Sequence, residues 1–501
     1  MTTAARSVLD GTVYHNFIDG QWLPSVSGDL FENRNPANTD DLIGVFQKST
    51  RQDVECAIDA ARRAYAHWRL VPAPRRAEIL FRAAQLLSER KEALARDMTR
   101  EMGKVLDETR GDVQEAIDMT YFMAGEGRRL HGQTAPSELR DKFAMSVRQP
   151  LGVCAVITPW NFPMAIPSWK IFPALMAGNA VVFKPASDTP IVATKLVEIL
   201  EEAGLPGGVL NLVTGSGKDV GDVLVKDPRI QGISFTGSTD AGRHIAEIAG
   251  RNLKRLGLEL GGKNAIVVLD DADLPLAVDG ALWAAFGTSG QRCTAASRLI
   301  VDRKVAVDFV DLLQERAAKM KVGDGLQPDT DMGPVINEAA LKKVHEYTEI
   351  GKKEHARLVH GGDFAGSEGW FYRPTIFADG KKDMRMAQEE IFGPSTLVLP
   401  VDNLEEALEV ANSTQYGLSM SIYTNDLRKA FHAMDEMQSG IVYVNAPTIG
   451  AEIQLPFGGV KNTGNGHREA GTVALDEFTE WKTIYVDYSG RLQRAQIDTG
   501  E

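Results

Sequence analysis

From Asp53 onward the apolar positions Val54, Ile58, Ala61, Tyr65 and Trp68 recur at three- and four-residue steps. That spacing lays one buried stripe along a helix. A second helix is predicted over roughly Arg75 to Arg100, behind the breaker-rich "VPAP", so the N-terminal third is expected to be mostly helical. After Leu151 the pattern changes to short, unbroken, β-branched runs, "VCAVI", "AVVF", "VLNLV" and "GISF", separated by helical stretches such as "PIVATKLVEILEEAG". Such alternation predicts βαβ units around a parallel sheet buried on both faces.

"KNAIVVLDDADLPLAVDGALWAAFGTSGQRC" adds a strand, a long helix and a loop that carries Cys293, and a second alternating stretch continues to about Val444. The expected fold class is therefore α/β with two layered units divided near Gly261 and Gly262. "DKFAMSVRQP" and the terminal "WKTIYVDYSGRLQRAQIDTGE" read as edge strands outside either unit. Unpaired edges seek a partner chain, which favours a homo-oligomer.

At 501 residues the chain has room for two large domains or about three of ordinary size. Its 43% hydrophobic and 25% charged residues exclude the disordered class. No run approaches the ~20 apolar residues of a membrane span, and "MTTAARSVLDGTVYHNFIDG" resembles neither a secretory nor an organelle signal. A cytoplasmic protein without a membrane partner is expected. The net charge of -13, with thinly spread Lys and Arg, argues against nucleic acid. Cys56, Cys154 and Cys293 are too few and too far apart for a disulfide framework or a zinc site, so no metal is expected and thiol chemistry stays open.

Candidate chemistry lies at strand ends. "GSGKDVG", from Gly215, follows a strand but has the spacing GxGxxxG instead of the dinucleotide fingerprint. In "ISFTGSTDAGRHIAEIAG" the strand ends at Phe235, Gly237 permits a tight turn, and Ser238 or Thr239 can cap a helix. That helix is either simply capped or a perch for phosphate. Lys184 closes "VVFK" where open α/β sheets bind ligands, as a surface charge or a ligand contact. Glu259 in "LGLELGGKN" is a structural carboxylate or a general base. Cys293 is a small buried apolar residue or a nucleophile.

Taken in order, "TPWNFPMAIPSWK", "FKPASDTP", "FTGS", "LELGGKNA", "GQRC", "EEIFGP" and "PFGGVKNTGNGHRE" resemble the aldehyde dehydrogenase superfamily, from "FIDGQW" to "DEFTEWKTIYV". The resemblance implies a Rossmann-like coenzyme domain over 1–127 and 151–261, an α/β catalytic domain over 262–466, and a β-strand oligomerisation arm with a C-terminal tail over 128–150 and 467–501. It implies Cys293 as nucleophile, Asn161 with the Cys293 backbone N–H as oxyanion donors, and Glu259 as the base that hydrolyses the thioester to a free acid. For the cofactor it implies Glu390 at the nicotinamide ribose with Phe392 beside it, Lys184 at the adenosine ribose, Ser238 at the pyrophosphate, and Trp160, Gly215, Phe235 and Gly237 lining the site. Phe162, Trp169 and Phe457 are the expected aldehyde-tunnel walls.

Four departures sharpen this. Where many NAD-preferring members carry glutamate, this chain has Ser187, which lifts the repulsion of a 2′-phosphate, so NADP is expected to be accepted alongside NAD; Asp188 opposes that effect. Ala451 and Gly287 replace aromatics and widen the tunnel. No arginine stands at Trp169 to hold a distal carboxylate, which leaves Arg292 for that task or turned away from the site. "DYSGRLQRAQIDTGE" runs past the usual last strand, as a free tail, a strap on a neighbouring subunit or a cover over the substrate entrance. The expected activity is NAD(P)-dependent oxidation of small-molecule aliphatic or aromatic aldehydes by a dimer or tetramer. The alternatives are oxidation of a semialdehyde such as 2-oxoglutarate or succinate semialdehyde and, more remotely, a non-catalytic binding protein on this scaffold.

Overall fold

The computed structural model describes residues 5–8, 11–366 and 368–498. Two seven-stranded sheets dominate. The first runs in the order Arg255–Glu259, Gly232–Thr236, Val153–Ile157, Ala180–Lys184, Leu210–Leu212, Asn16–Ile18 and Gln21–Leu23. Its first five strands are parallel and the last two add antiparallel. The apolar runs that contain "VCAVI", "AVVF" and "GISF" form its centre, buried at every position.

The second sheet follows the order Arg357–His360, Thr375–Ala378, Ser395–Val401, Ala296–Asp302, Asn264–Val268, Ser419–Tyr423 and Ile441–Val444. All its pairings are parallel except the outermost at Arg357–His360. The chain passes from the carboxyl end of Arg255–Glu259 to the amino end of Asn264–Val268 through only "LGGK". That short link holds the two sheets end to end, with a cleft between them.

Thr479–Asp487, Lys142–Pro150 and Gln133–Pro136 form a separate antiparallel sheet, with Thr479 opposite Pro150 and Asp487 opposite Lys142. The two segments expected outside the main sheets therefore pair with each other. Among the described residues no helix is long and apolar enough to cross a membrane.

Two expectations need correction. The described residues up to Gln47 are not helical: Gly11–Tyr14, Leu30–Asn35 and Asn38–Gln47 lie in a four-stranded sheet, and Asn16–Ile18 with Gln21–Leu23 extends the first large sheet. These strands are irregularly buried, and all but Asn38–Gln47 are short, so no clean period-two pattern marks them. The helix expected over Arg75 to Arg100 is two, Ala73–Glu89 and Lys91–Met102, broken at Arg90 (φ -102, ψ 6). The stripe over Val54 to Trp68 does form one helix, Arg51–Trp68, started by a Thr50–Asp53 capping box.

Helix Ala165–Ala177 is buried at every residue. A helix apolar all round belongs inside a protein, and Lys170 is the single charged residue in it.

Candidate active site

The first sheet reverses its winding at Val153–Ile157: later strands add on one side as far as Leu210–Leu212, then on the other through Gly232–Thr236 and Arg255–Glu259. Loops leaving the two strands at such a reversal diverge, and ligands bind in the gap beyond their carboxyl ends. A cavity of about 560 Å³ lies there. Trp160, Lys184, Phe235, Gly237, Ser238, Glu390 and Phe392 all line it, together with Asn161 and Cys293. Ser187 and Gly215 stand behind that wall, joined by a hydrogen bond from Ser187 Oγ to the Gly215 carbonyl at 3.1 Å. Asp222, His244 and Lys343 also line the cavity, and sequence reasoning did not single them out.

The wall has the character of a dinucleotide site. Ser238 caps helix Thr239–Arg251 by accepting from Ala241 N at 3.3 Å, so the first N–H groups of that helix face the cavity. Thr158 Oγ1, Thr236 Oγ1 and Thr239 Oγ1 are buried without a hydrogen-bond partner among the described residues. Orphaned polar atoms cost energy unless a ligand or water satisfies them. Lys184 is buried at its strand end, donates to the Pro185 carbonyl at 3.0 Å, and has its pKa pulled down to about 8 by burial. Burial also pushes the Glu390 carboxyl above its usual range, although Gly262 N donates to it at 2.9 Å. The Trp160 and Phe392 rings meet edge to face at 5.4 Å.

Cys293 lies in the loop before strand Ala296–Asp302, part-exposed at the cavity wall. That loop is held from many sides. Thr288 and Ser289 both adopt φ of 55°, a conformation non-glycine residues keep only when their surroundings enforce it. Thr288 N donates to both oxygens of Glu108, Ser289 Oγ to the Gly333 carbonyl at 2.7 Å, and Thr448 Oγ1 to the Thr294 carbonyl at 2.7 Å. Asn264 Nδ2 donates to the Cys293 carbonyl at 2.6 Å. Gly262 permits this approach, because a Cβ there would sit 2.3 Å from the same carbonyl oxygen. Asn161 Nδ2 donates to the Gln291 carbonyl at 3.1 Å, which fixes its amide beside the thiol and leaves its second N–H for another acceptor.

The electrostatics oppose a resting thiolate. Burial first, then the charges of Glu259 and Glu390, push the Cys293 thiol up to about 12. Glu259 ends strand Arg255–Glu259 with both carboxylate oxygens buried and without a hydrogen-bond partner among the described residues. Burial raises its pKa well above the usual carboxylate range, and the charge of Glu469 raises it further, against a smaller pull from Lys170. Lys170 is itself fully buried; its Nζ donates to Glu469 Oε1 and, at 3.1 Å, to Ser234 Oγ. This charged pair escaped the sequence analysis. A lysine in the otherwise apolar "AIPSWKIFPALMA" was the signal for it.

Phe162, Trp169, Phe457 and Arg292 stand outside the large cavity. Trp169 and Phe457 stack edge to face at 4.9 Å in the same core cluster against which Cys293 packs. Arg292 turns to Glu108 (Nη2 to Oε1, 3.1 Å) and Thr288 Oγ1 (2.8 Å), and its guanidinium lies 5.5 Å from the Phe162 ring and 5.0 Å from that of Trp283.

A doubly wound sheet with a nucleotide-shaped cleft at its winding reversal, facing a cysteine presented by a second α/β sheet, defines a nucleotide-dependent oxidoreductase. The chain belongs to the aldehyde dehydrogenase family, whose model matches residues 22–484. It is 41% identical over 483 residues to the α-ketoglutaric semialdehyde dehydrogenase of Bacillus subtilis, covering 96% of this chain and 99% of that protein. The α-ketoglutarate semialdehyde dehydrogenase of Haloferax volcanii is 43% identical, over 94% of this chain and 99% of its own. Among solved structures, an E. coli NADP-dependent enzyme superimposes with a TM-score of 0.92 at 39% identity, over 94% of this chain and 98% of that one.

Proposed function

We propose that Cys293, Asn161 and Glu259 are the groups with which this aldehyde dehydrogenase oxidises an aldehyde to its carboxylic acid. The observation that carries the reading is that Cys293 and Asn161 share the wall of the 560 Å³ cavity while the unpartnered Glu259 carboxylate acts on the thiol. The cavity wall fits NAD or NADP, which when bound supplies the hydride acceptor and a positive ring charge that opposes the carboxylates raising the thiol pKa.

The Cys293 thiol gives up its proton to water in the cleft and adds as the thiolate to the aldehyde carbon. The free Asn161 N–H and the Cys293 backbone N–H donate to the resulting oxyanion; one such preset donor is worth about 3–4 kcal/mol. Loss of hydride leaves a thioester on Cys293. Glu259 then takes a proton from water, the water oxygen attacks the acyl carbon, and the thiolate departs with release of the carboxylate product.

Ser187 supports use of NADP as well as NAD. It brings no negative charge near Lys184; Asp188, which accepts from Asn337 Nδ2 at 2.9 Å, does act on Lys184 with its charge and works against that effect. Ser187→Glu should raise the KM for NADP about 100-fold and that for NAD far less, because like charges brought together cost several kcal/mol and about 1.4 is tenfold. Initial rates with both nucleotides check this, and an unchanged ratio of KM values overturns it.

A second reading, a semialdehyde with a distal carboxylate, draws on Arg292 beside the nucleophile and on the substrates in the names of the Bacillus and Haloferax relatives. The Nη1 edge of Arg292 has no hydrogen-bond partner among the described residues, so it can accept a second carboxylate while Glu108 holds the first. On this reading Arg292→Lys, which keeps a cation for Glu108 but removes the planar fork, should raise the KM for succinate semialdehyde about tenfold and leave that for butanal unchanged. Equal effects on both aldehydes would exclude it.

The domain division at Gly261 and Gly262 is supported by the change of sheet between Glu259 and Asn264. For self-association through the arm, the support is the outer edge of strand Thr479–Asp487, which is unpaired among the described residues and carries exposed Trp481 and Tyr485.

A further inference from the structure

Glu259 sits 3% exposed, yet on the reading above it receives a proton from water in every turnover. The proton must leave before the next cycle, and the cleft side is filled by substrate and nucleotide. On the other side of Glu259 lies a run of buried polar groups that the chemistry so far leaves unused.

Lys170 Nζ donates to Glu469 and to Ser234 Oγ. Ser234, fully buried in strand Gly232–Thr236, lies close enough to the Glu477 carboxylate to favour its ionised form. Glu477 Oε2 lies 2.9 Å from His467 Nε2, close enough for an ion pair though not aligned as a hydrogen bond. The Glu477 side chain is 3% exposed and that of His467 is 12% exposed, so His467 is where the run meets solvent. Burial works to raise the Glu477 pKa, but His467, Lys170 and Ser234 outweigh it and hold this carboxyl below the usual range. The backbone makes room for the pair. A Cβ on Gly257 would stand 1.9 Å from Glu477 Oε1 and 2.9 Å from His467 Cδ2.

An ion pair buried this deeply is weak evidence for stability, since desolvation offsets most of its attraction. A series of buried polar groups reaching from behind the buried base toward the surface brings all of them under one role. We propose that Ser234, Glu477 and His467 form the exit by which the proton taken up at Glu259 reaches solvent. This rests on Glu259 being the base.

The transfer balances without electron movement. Glu259, whose oxygens hold no partner among the described residues, passes its proton to Glu469, the carboxylate whose charge acts on it most strongly. Lys170 gives one to Ser234 Oγ as the Ser234 hydroxyl proton moves to Glu477, and Lys170 is restored from Glu469. Glu477 then hands its proton to the imidazole, which releases one to water. Arg468, whose Nη1 donates to the Gly459 and His467 carbonyls, adds a fixed positive charge beside the path and carries no proton along it.

His467, Glu477 and Ser234 touch neither substrate nor nucleotide, so they are positioning and relay residues. The test is hydrolysis of p-nitrophenyl acetate, which acylates Cys293 without nucleotide, beside the reduced-nucleotide burst with propanal and NADP. In dilute buffer His467→Phe should keep both burst amplitudes while deacylation slows about tenfold, short of the roughly 100- to 10,000-fold that a direct acid–base group supplies. Added imidazole should restore the rate in that variant and leave wild type unchanged, and Glu477→Gln should show the same slowing without restoration. A His467→Phe enzyme that deacylates at the wild-type rate, ignores imidazole or loses its burst overturns the proposal; His467→Gln serves if the phenylalanine variant does not fold. Glu259→Gln, run alongside, separates the two readings. Normal deacylation in that variant removes base and exit together, whereas slow deacylation there with normal rates in His467→Phe and Glu477→Gln removes the exit alone.

Discussion

Replacing Cys293 with alanine should lower aldehyde oxidation by about four to six orders of magnitude and leave nucleotide affinity within about twofold, because a residue acting as nucleophile has no substitute in its site. The substitution is structurally mild. The bonds that hold the loop run through the Cys293 carbonyl, Thr288, Ser289 and Thr294, and none uses the sulfur. Trp160 lines the cavity, so its emission during a nucleotide titration reports binding independently of turnover. Retained oxidation with weakened nucleotide binding would show that Cys293 serves the cofactor instead of the aldehyde.

Glu259→Gln should slow thioester hydrolysis about 100- to 10,000-fold, while the first equivalent of reduced nucleotide still forms rapidly. The amide keeps the size of the carboxyl and removes its capacity to accept a proton. A stoichiometric burst followed by a slow steady state is the expected record. The pH dependence has a definite sign. Burial, reinforced by Glu469, raises the Glu259 pKa well above its ordinary value, so the ionised, proton-accepting form is lost as pH falls through that raised value. Wild-type deacylation should therefore rise with pH along a limb placed higher than an exposed glutamate would give, and that limb should vanish in the variant. The same variant removes a negative charge that raises the Cys293 thiol, so the thiol should alkylate faster. A steady state without a burst, at the wild-type rate, would assign the base elsewhere.

Much of the architecture is legible in local patterns. The buried strands around Val156, Val182 and Ser234 are unbroken apolar runs, and a strand covered on both faces has no polar side to interrupt it. Helix Arg51–Trp68 carries both its stripe and its capping residues within its own sequence. The N-terminal strands do not, because their neighbours lie far away: Phe17 pairs with Leu212. The break at Arg90 was equally hidden, since neither proline nor glycine marks it.

Within the site, Cys293, Asn161, Lys184, Glu259 and Glu390 were legible because each stands in a short motif whose spacing stays within one loop or strand end. Such motifs name the candidate groups. What they do not contain is the environment that sets how those groups behave. Lys170 meets Glu469 across 299 residues of chain, and Asn161 meets the Gln291 carbonyl across 130. The raised pKa values of Cys293 and Glu259 likewise come from burial and from carboxylates supplied by distant elements.

The amino-acid sequence by itself thus determined the parallel-sheet class, the family and the candidates for the reacting side chains, all of which depend on the order of residues over short spans. Only the tertiary structure decided that Arg292 is held by Glu108, that Ser187 stands behind the cavity wall, and that His467 pairs with the buried Glu477. Desolvation and Coulomb forces act through space and take their strength from every element packed around a charge, so they acquire values only once the chain has closed on itself.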